Sequence, residues 1–199
     1  MTSGPLFINI IKFILPLMAT NLLQQFYHAA DLMVAGLSAE PDAVGAIGST
    51  SSFLSLINHL FVGFSVGANV VVARCIGAGD KDKISRATHT AICMGVLFGA
   101  IGAMLGIALA RPVLGAMGYE GNLFTLGVRY AYIYLACLPF MSLTHFLSAV
   151  LQAQGNTRTP LYVMTLAGVL NVGMNMFFVL VVGLSVEGVA IATAIAATR

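Results

Sequence analysis

Charge is what this sequence has least of. Nine Lys or Arg and seven Asp or Glu make up 8% of 199 residues, where an ordinary soluble domain carries about 25%. A water-facing surface cannot be built from so few, and 59% of the residues are apolar. Soluble enzymes and disordered tails are therefore excluded, and an all-α membrane protein is expected. The net charge of +2 comes without a clustered basic face, which excludes a nucleic-acid partner. The three cysteines, Cys75, Cys93 and Cys137, have no paired spacing, so neither a disulfide framework nor a zinc site is indicated. No cofactor is expected, and the first residues lack the basic start of a cleavable signal peptide.

The few charges divide the chain. Uncharged windows run over 13–30, 43–73, 87–110, 130–157, 159–186 and 188–198. A helix needs about 20 apolar residues to cross a bilayer. The windows predict spans over 6–36, 46–76, 86–110, 123–153 and 159–183, five complete helices, and a truncated sixth over 187–199. Lys12, Arg74, Lys81, Lys83, Arg86, Arg158 and Arg199 then fall on one side and Arg111 and Arg129 on the other. This bias predicts a cytoplasmic N-terminus in a multi-pass plasma-membrane protein. The stretches Leu37 to Asp42, Gly77 to Lys83 and Gln154 to Pro160 carry turn residues and read as short loops.

Helices in lipid pack through small residues. Gly63 with Gly67, and Gly95, Gly99, Gly102 and Gly106, have the required spacing. Pro16 and Pro139 fall inside predicted spans, where each removes one backbone hydrogen bond and can kink the helix.

Polar residues inside the spans carry most of the functional information. Asn21, Gln24, His28 and Asp31 are spaced by three or four and share one face of the first span. An ionised Asp at mid-bilayer costs about 2.5–3.5 kcal/mol even on insertion scales, so Asp31 must face the bundle interior or a wet cavity. A proton, ion or substrate site is the default for such an acid. Hydration near the interface and a structural pair with His28 are the alternatives, while an imidazole titrating near neutrality can itself carry a proton. Ser51, Ser55, Asn58, Ser65 and Asn69 form a second polar stripe, and Asn171 with Asn175 a third, preceded by Gly168. Each alone reads as interhelical hydrogen-bonding; together they can line one chamber.

Two motifs do not carry chemistry. Gly63-Phe64-Ser65-Val66-Gly67 matches a nucleophile elbow, but that motif needs a strand-to-helix turn and an activating His and acid. No enzyme activity is expected. Asp80-Lys81-Asp82-Lys83 offers too few oxygens for calcium, and its lysines oppose a cation.

The combination Pro16, Gln25 and Ala29-Ala30-Asp31-Leu32-Met33-Val34-Ala35-Gly36, followed by Gly45-Ala46-Ile47-Gly48, resembles the first helix and outer loop of the multidrug and toxic compound extrusion (MATE) transporters. Gly63 to Asn69 with Gly77-Ala78-Gly79-Asp80, Gln152 to Pro160, Asn171 with Asn175, and Gly188 to Thr193 follow in the family's order. The resemblance implies one lobe, the N-terminal one, of a two-lobe antiporter that exports organic cations or other xenobiotics, coupled to H+ or Na+. It also implies a missing C-terminal lobe and a cavity built on Asp31, Asn171, Asn175 and Thr193. Some members carry Asp where Asn175 stands, and Glu187 replaces a small residue. A flippase of lipid-linked precursors and a non-transporting fragment or interaction partner are the alternative readings.

Overall fold

The computed structural model describes residues 6–37, 42–181 and 186–197. Glu40, Arg199, most of the 37–42 loop and the side chain of Glu187 lie outside what it describes. Among the described residues seven α-helices follow in order: α1 (Leu6–Ala35), α2 (Ala43–Gly77), α3 (Lys81–Ala116), α4 (Gly121–Ala136), α5 (Leu138–Ala153), α6 (Arg158–Met176) and α7 (Val186–Ala197). A π-helical stretch, Phe177–Val181, continues α6. Among the described residues there is no strand.

The window read as one span over 123–153 is two helices, α4 and α5, bent by 50° at Cys137. Pro139 causes the break: it has no N–H to offer the carbonyl four residues back, and its fixed φ suits the first turn of a new helix. The backbone repairs the junction locally. Cys137 N–H donates to the Tyr134 carbonyl, and the amides of Phe140 and Met141 both donate to the Cys137 carbonyl, each at 3.1 Å. Pro16 and Pro112, by contrast, lie inside unbroken helices, so α3 extends past the expected end at 110. Among the described residues, α2, α3 and 158–179 are each long and apolar enough to cross a membrane. The α4–α5 pair makes a fourth if counted as one bent span.

The α2–α3 turn is closed by Gly79 at φ +71°, a conformation open to glycine without strain. Asp80 then caps α3, its Oδ1 accepting from Lys83 N–H at 3.1 Å.

The main core, containing Ile47, Leu54, Leu114, Tyr130, Leu135 and Leu138, lies between α2, α3 and the α4–α5 bend, with Val189 and Ala190 entering from α7. A smaller cluster of Val72, Ala91, Phe146 and Val150 fills the other end. Large apolar side chains such as Phe7, Leu15, Met33, Leu60, Met104 and Val169 point outward. Large apolar side chains exposed in such number mark a lipid-facing bundle rather than a soluble one.

In lipid the tightest packing requires absent side chains. Gly95, Gly99 and Gly106 are buried on α3, and Gly102 is half-buried. A Cβ on Gly99 would lie 2.6 Å from Pro139 Cα, one on Gly102 2.5 Å from the Phe61 ring, and one on Gly106 2.6 Å from Leu135. Gly63 and Gly67 do not share this role. A Cβ at either position meets nothing within 4 Å, because α2 turns that face outward.

Candidate functional site

Gln24, Tyr27, His28 and Asp31 come off one face of α1 and look across at α6. With Asn171 of α6, Thr193 of α7 and Asn58 of α2 they line a cavity of about 170 Å³, which Tyr134, Met141, Thr144 and His145 close from the α4–α5 side. Among the described residues no Lys or Arg lines it.

Asp31 is 4% exposed. Asn175 Nδ2 donates to its Oδ1 at 2.5 Å, and Thr193 Oγ1 lies 3.5 Å from its Oδ2. The Asn171 amide, oriented to satisfy both its ends, donates to Asp31 Oδ1 at 3.1 Å and accepts from Thr193 N–H at 3.2 Å. Two helices, α6 and α7, thus reach the one α1 carboxylate through neutral donors alone. Among the described residues no cation pairs with it. Asn175 is fully buried behind the carboxylate, and its Oδ1 accepts no hydrogen bond. The node therefore collects a carboxylate, two amides and a hydroxyl within hydrogen-bonding distance, a set of hard oxygen atoms at one side of the cavity.

The sequence-predicted residues separate on this geometry. Asp31, His28, Gln24, Asn58, Asn171 and Thr193 line the one cavity, and Asn175 backs it. Asn21 is exposed on α1 and is not among the lining residues, since it sits most of a turn beyond Gln24, whose Nε2 meets Met164 Sδ at 3.4 Å. His28 is exposed and does not bond Asp31, so the structural pair between them does not form. Of the second stripe only Asn58 reaches the cavity. Ser51 and Ser65 donate to carbonyls of their own helix, and Asn69 Nδ2 bonds the Ala149 carbonyl of α5 at 2.7 Å.

His145, Tyr27 and Tyr134 are among the lining residues not singled out from sequence. His145 Nε2 donates to Asn58 Oδ1 at 2.9 Å, forming a second polar centre across the cavity from Asp31. Its signal was available, as it is the only histidine in the fourth predicted span. Tyr27 and Tyr134 carry no such mark, because aromatic residues in apolar helices more often pack than line a cavity.

An apolar helical bundle that buries a carboxylate against amides beside a polar cavity is a polytopic membrane protein with an internal site. The chain belongs to the MatE family, whose model matches residues 16–177. It is 26% identical to the Bacillus subtilis protein named "Probable multidrug resistance protein YoeA" over 81% of this chain and 35% of that one. It is 24% identical to "Multidrug export protein MepA" of Staphylococcus aureus over 97% of this chain and 43% of that one. A crystal structure of a MATE protein in its bent conformation superimposes with a TM-score of 0.89 at 25% identity, covering 95% of this chain and 42% of that one. The chain spans less than half the length of the relatives it matches.

Proposed function

We propose that this chain forms the N-terminal lobe of a cation-coupled antiporter exporting organic cations or other xenobiotics across the plasma membrane. Six passes, the N-terminus in the cytoplasm and a second lobe completing the transporter belong to this reading. The observation that carries it is Asp31: a buried carboxylate with, among the described residues, only neutral donors, on the wall of a cavity that none of their Lys or Arg side chains lines. A negative centre in such a place attracts a proton, Na+ or a cationic substrate, and these compete for it. The node around it, with the unengaged Oδ1 of Asn175, offers oxygen atoms of the kind Na+ prefers. Binding at Asp31 shifts the conformational equilibrium only if the two states bind the ion unequally, which two lobes rocking about a shared site provide. The names of the relatives support drug-like cargo. An anionic lipid-linked precursor finds no Lys or Arg among the described residues of this cavity, which favours the cationic reading.

The test is Asp31→Asn in a transporter containing this lobe, read by efflux of a fluorescent organic cation against imposed pH and Na+ gradients. Gradient-driven efflux is expected to vanish while the protein still reaches the membrane, since removing a charge from the bundle interior costs no insertion energy. Unchanged gradient dependence in the variant defeats the assignment.

A further inference from the structure

A second pocket, of about 380 Å³, opens where the α5–α6 loop meets the early part of α1. It is lined by Lys12 and Phe13 of α1 and by residues 154–158, and it shares no residue with the Asp31 cavity. Gly155 at φ +82° turns the chain so that the loop forms its wall.

Three features of this pocket suit an anion. Lys12 and Arg158 both line it, no carboxylate does, and neither side chain has an acidic partner among the described residues. Thr157 is 4% exposed, yet its hydroxyl has no hydrogen-bond partner among the described residues, leaving a donor at the pocket wall. The N-terminus of α6, a helix of 19 residues, begins here and adds the positive end of its dipole. Asn156 takes up one of the first-turn amides, Thr159 N–H, at 3.1 Å, and Pro160 has no N–H to offer. A guanidinium presents a fork of donors that matches phosphate oxygens, and an ammonium adds a compact charge.

We infer that this pocket binds a phosphate group at the membrane surface. An anionic lipid headgroup is the source its surroundings favour. The face of α1 around Lys12 exposes Ile10, Ile11, Ile14 and Leu15, an apolar flank along which acyl chains can lie while the headgroup enters. Basic pockets at the ends of membrane helices, on the side rich in Lys and Arg, recognise headgroups in this way. The inference does not depend on what the Asp31 cavity transports.

The experiment uses the purified 199-residue chain in detergent, with bound lipid measured by native mass spectrometry. Phosphatidylglycerol is expected to be retained in preference to phosphatidylcholine. Replacing both cations, Lys12→Gln with Arg158→Gln, should weaken phosphatidylglycerol binding about twenty-five-fold, a factor of about five for each basic residue near the surface. The charge-keeping pair, Lys12→Arg with Arg158→Lys, should retain most of it. Thr157→Val, which removes only the hydroxyl, should weaken it severalfold and serves if the Gln pair fails to fold. A parallel arm adds inorganic phosphate without lipid. Thermal stabilisation there, lost in the Gln pair, assigns the site to free phosphate rather than to a headgroup. Equal binding of the two lipids, or full phosphatidylglycerol binding by the Gln pair or by Thr157→Val, overturns the proposal.

Discussion

The ring of Tyr27 occupies the space that a side chain at position 168 would need. A Cβ placed on Gly168 would lie 1.7 Å from Tyr27 Cζ, and Tyr27 Oη donates to the Met164 carbonyl, one turn earlier on α6, at 3.0 Å. This fit holds α1 against α6, and so holds Asp31 against Asn171 and Asn175.

Gly168→Ala should therefore force the two helices apart. Overpacking of this kind costs about 1–3 kcal/mol, and the melting temperature in detergent is expected to fall accordingly. Tyr27→Phe keeps the ring and loses one hydrogen bond, about 1 kcal/mol. Tyr27→Ala combined with Gly168→Ala should be less damaging than the sum of the two, because the first makes room for the second. Strict additivity would show that the ring is not what excludes the methyl group.

Identical chemistry should have opposite effects on α2 and α3. Gly99→Ala places a methyl against the Pro139 backbone and is expected to destabilise by about 1–3 kcal/mol. Gly63→Ala and Gly67→Ala meet open space. They should be neutral, or stabilising by up to about 1 kcal/mol through helix propensity. Thermal denaturation of the three variants side by side decides it.

Asn175→Ala removes the nearest donor to the Asp31 carboxylate and leaves a buried acid under-satisfied. A loss of about 1–3 kcal/mol in stability is expected. Thr193→Val should cost less, since the threonine hydroxyl stands 3.5 Å from the carboxylate and also bonds the Val189 carbonyl at 2.9 Å. Equal losses from the two would mean that the carboxylate does not depend on Asn175.

The α2–α3 turn supplies a pH-dependent readout outside the spans. Lys83 N–H, and then the Lys83 ammonium 3.1 Å from Oδ2, hold Asp80 below the ordinary carboxylate value of 3.8. A depressed carboxylate stabilises the fold above that value, and the contribution is lost as pH falls through the lower folded value. Amide protection at Lys83, measured by hydrogen exchange and corrected for intrinsic rates, should drop on acidification below about pH 4. In Asp80→Asn, a neutral cap of similar geometry, protection should not change with pH.

Orientation has its own check. Single cysteines introduced as Asp82→Cys and Asp42→Cys, on a background without Cys75, Cys93 and Cys137, would be exposed to an impermeant thiol reagent on intact cells. Labelling at 42 and protection at 82 are expected. Labelling at 82 would invert the proposed topology.

Individual residues show where the sequence was readable and where it was not. Asp31 stood out because an acid in an apolar stretch has few tolerable surroundings, and Asn171 with Asn175 because a spacing of four puts two amides on one helix face. Spacing fixes which residues of a helix share a face but not where that face points. Gly63 and Gly67 repeat at the same interval as Gly95 and Gly99, yet only the second pair meets another helix. Pro139 signalled a disturbance without saying whether the helix would bend or restart. His145 was visible as the one histidine of its predicted span, but its pairing was not: Asn58 lies 87 residues away on a different helix, and the contact exists only once α2 and α5 have packed.

The row of glycines on α3 also limits how this sequence can change. No residue is smaller than glycine, so α3 has already surrendered all the volume it holds along that contact. Any substitution there adds bulk, and compensation must come from across the contact, by trimming Phe146, Leu135 or Phe61. Among related chains, a larger residue at position 95, 102 or 106 should therefore be accompanied by a smaller one opposite. At position 99 the obstructing atom belongs to the backbone of Pro139, which no side-chain exchange can shrink.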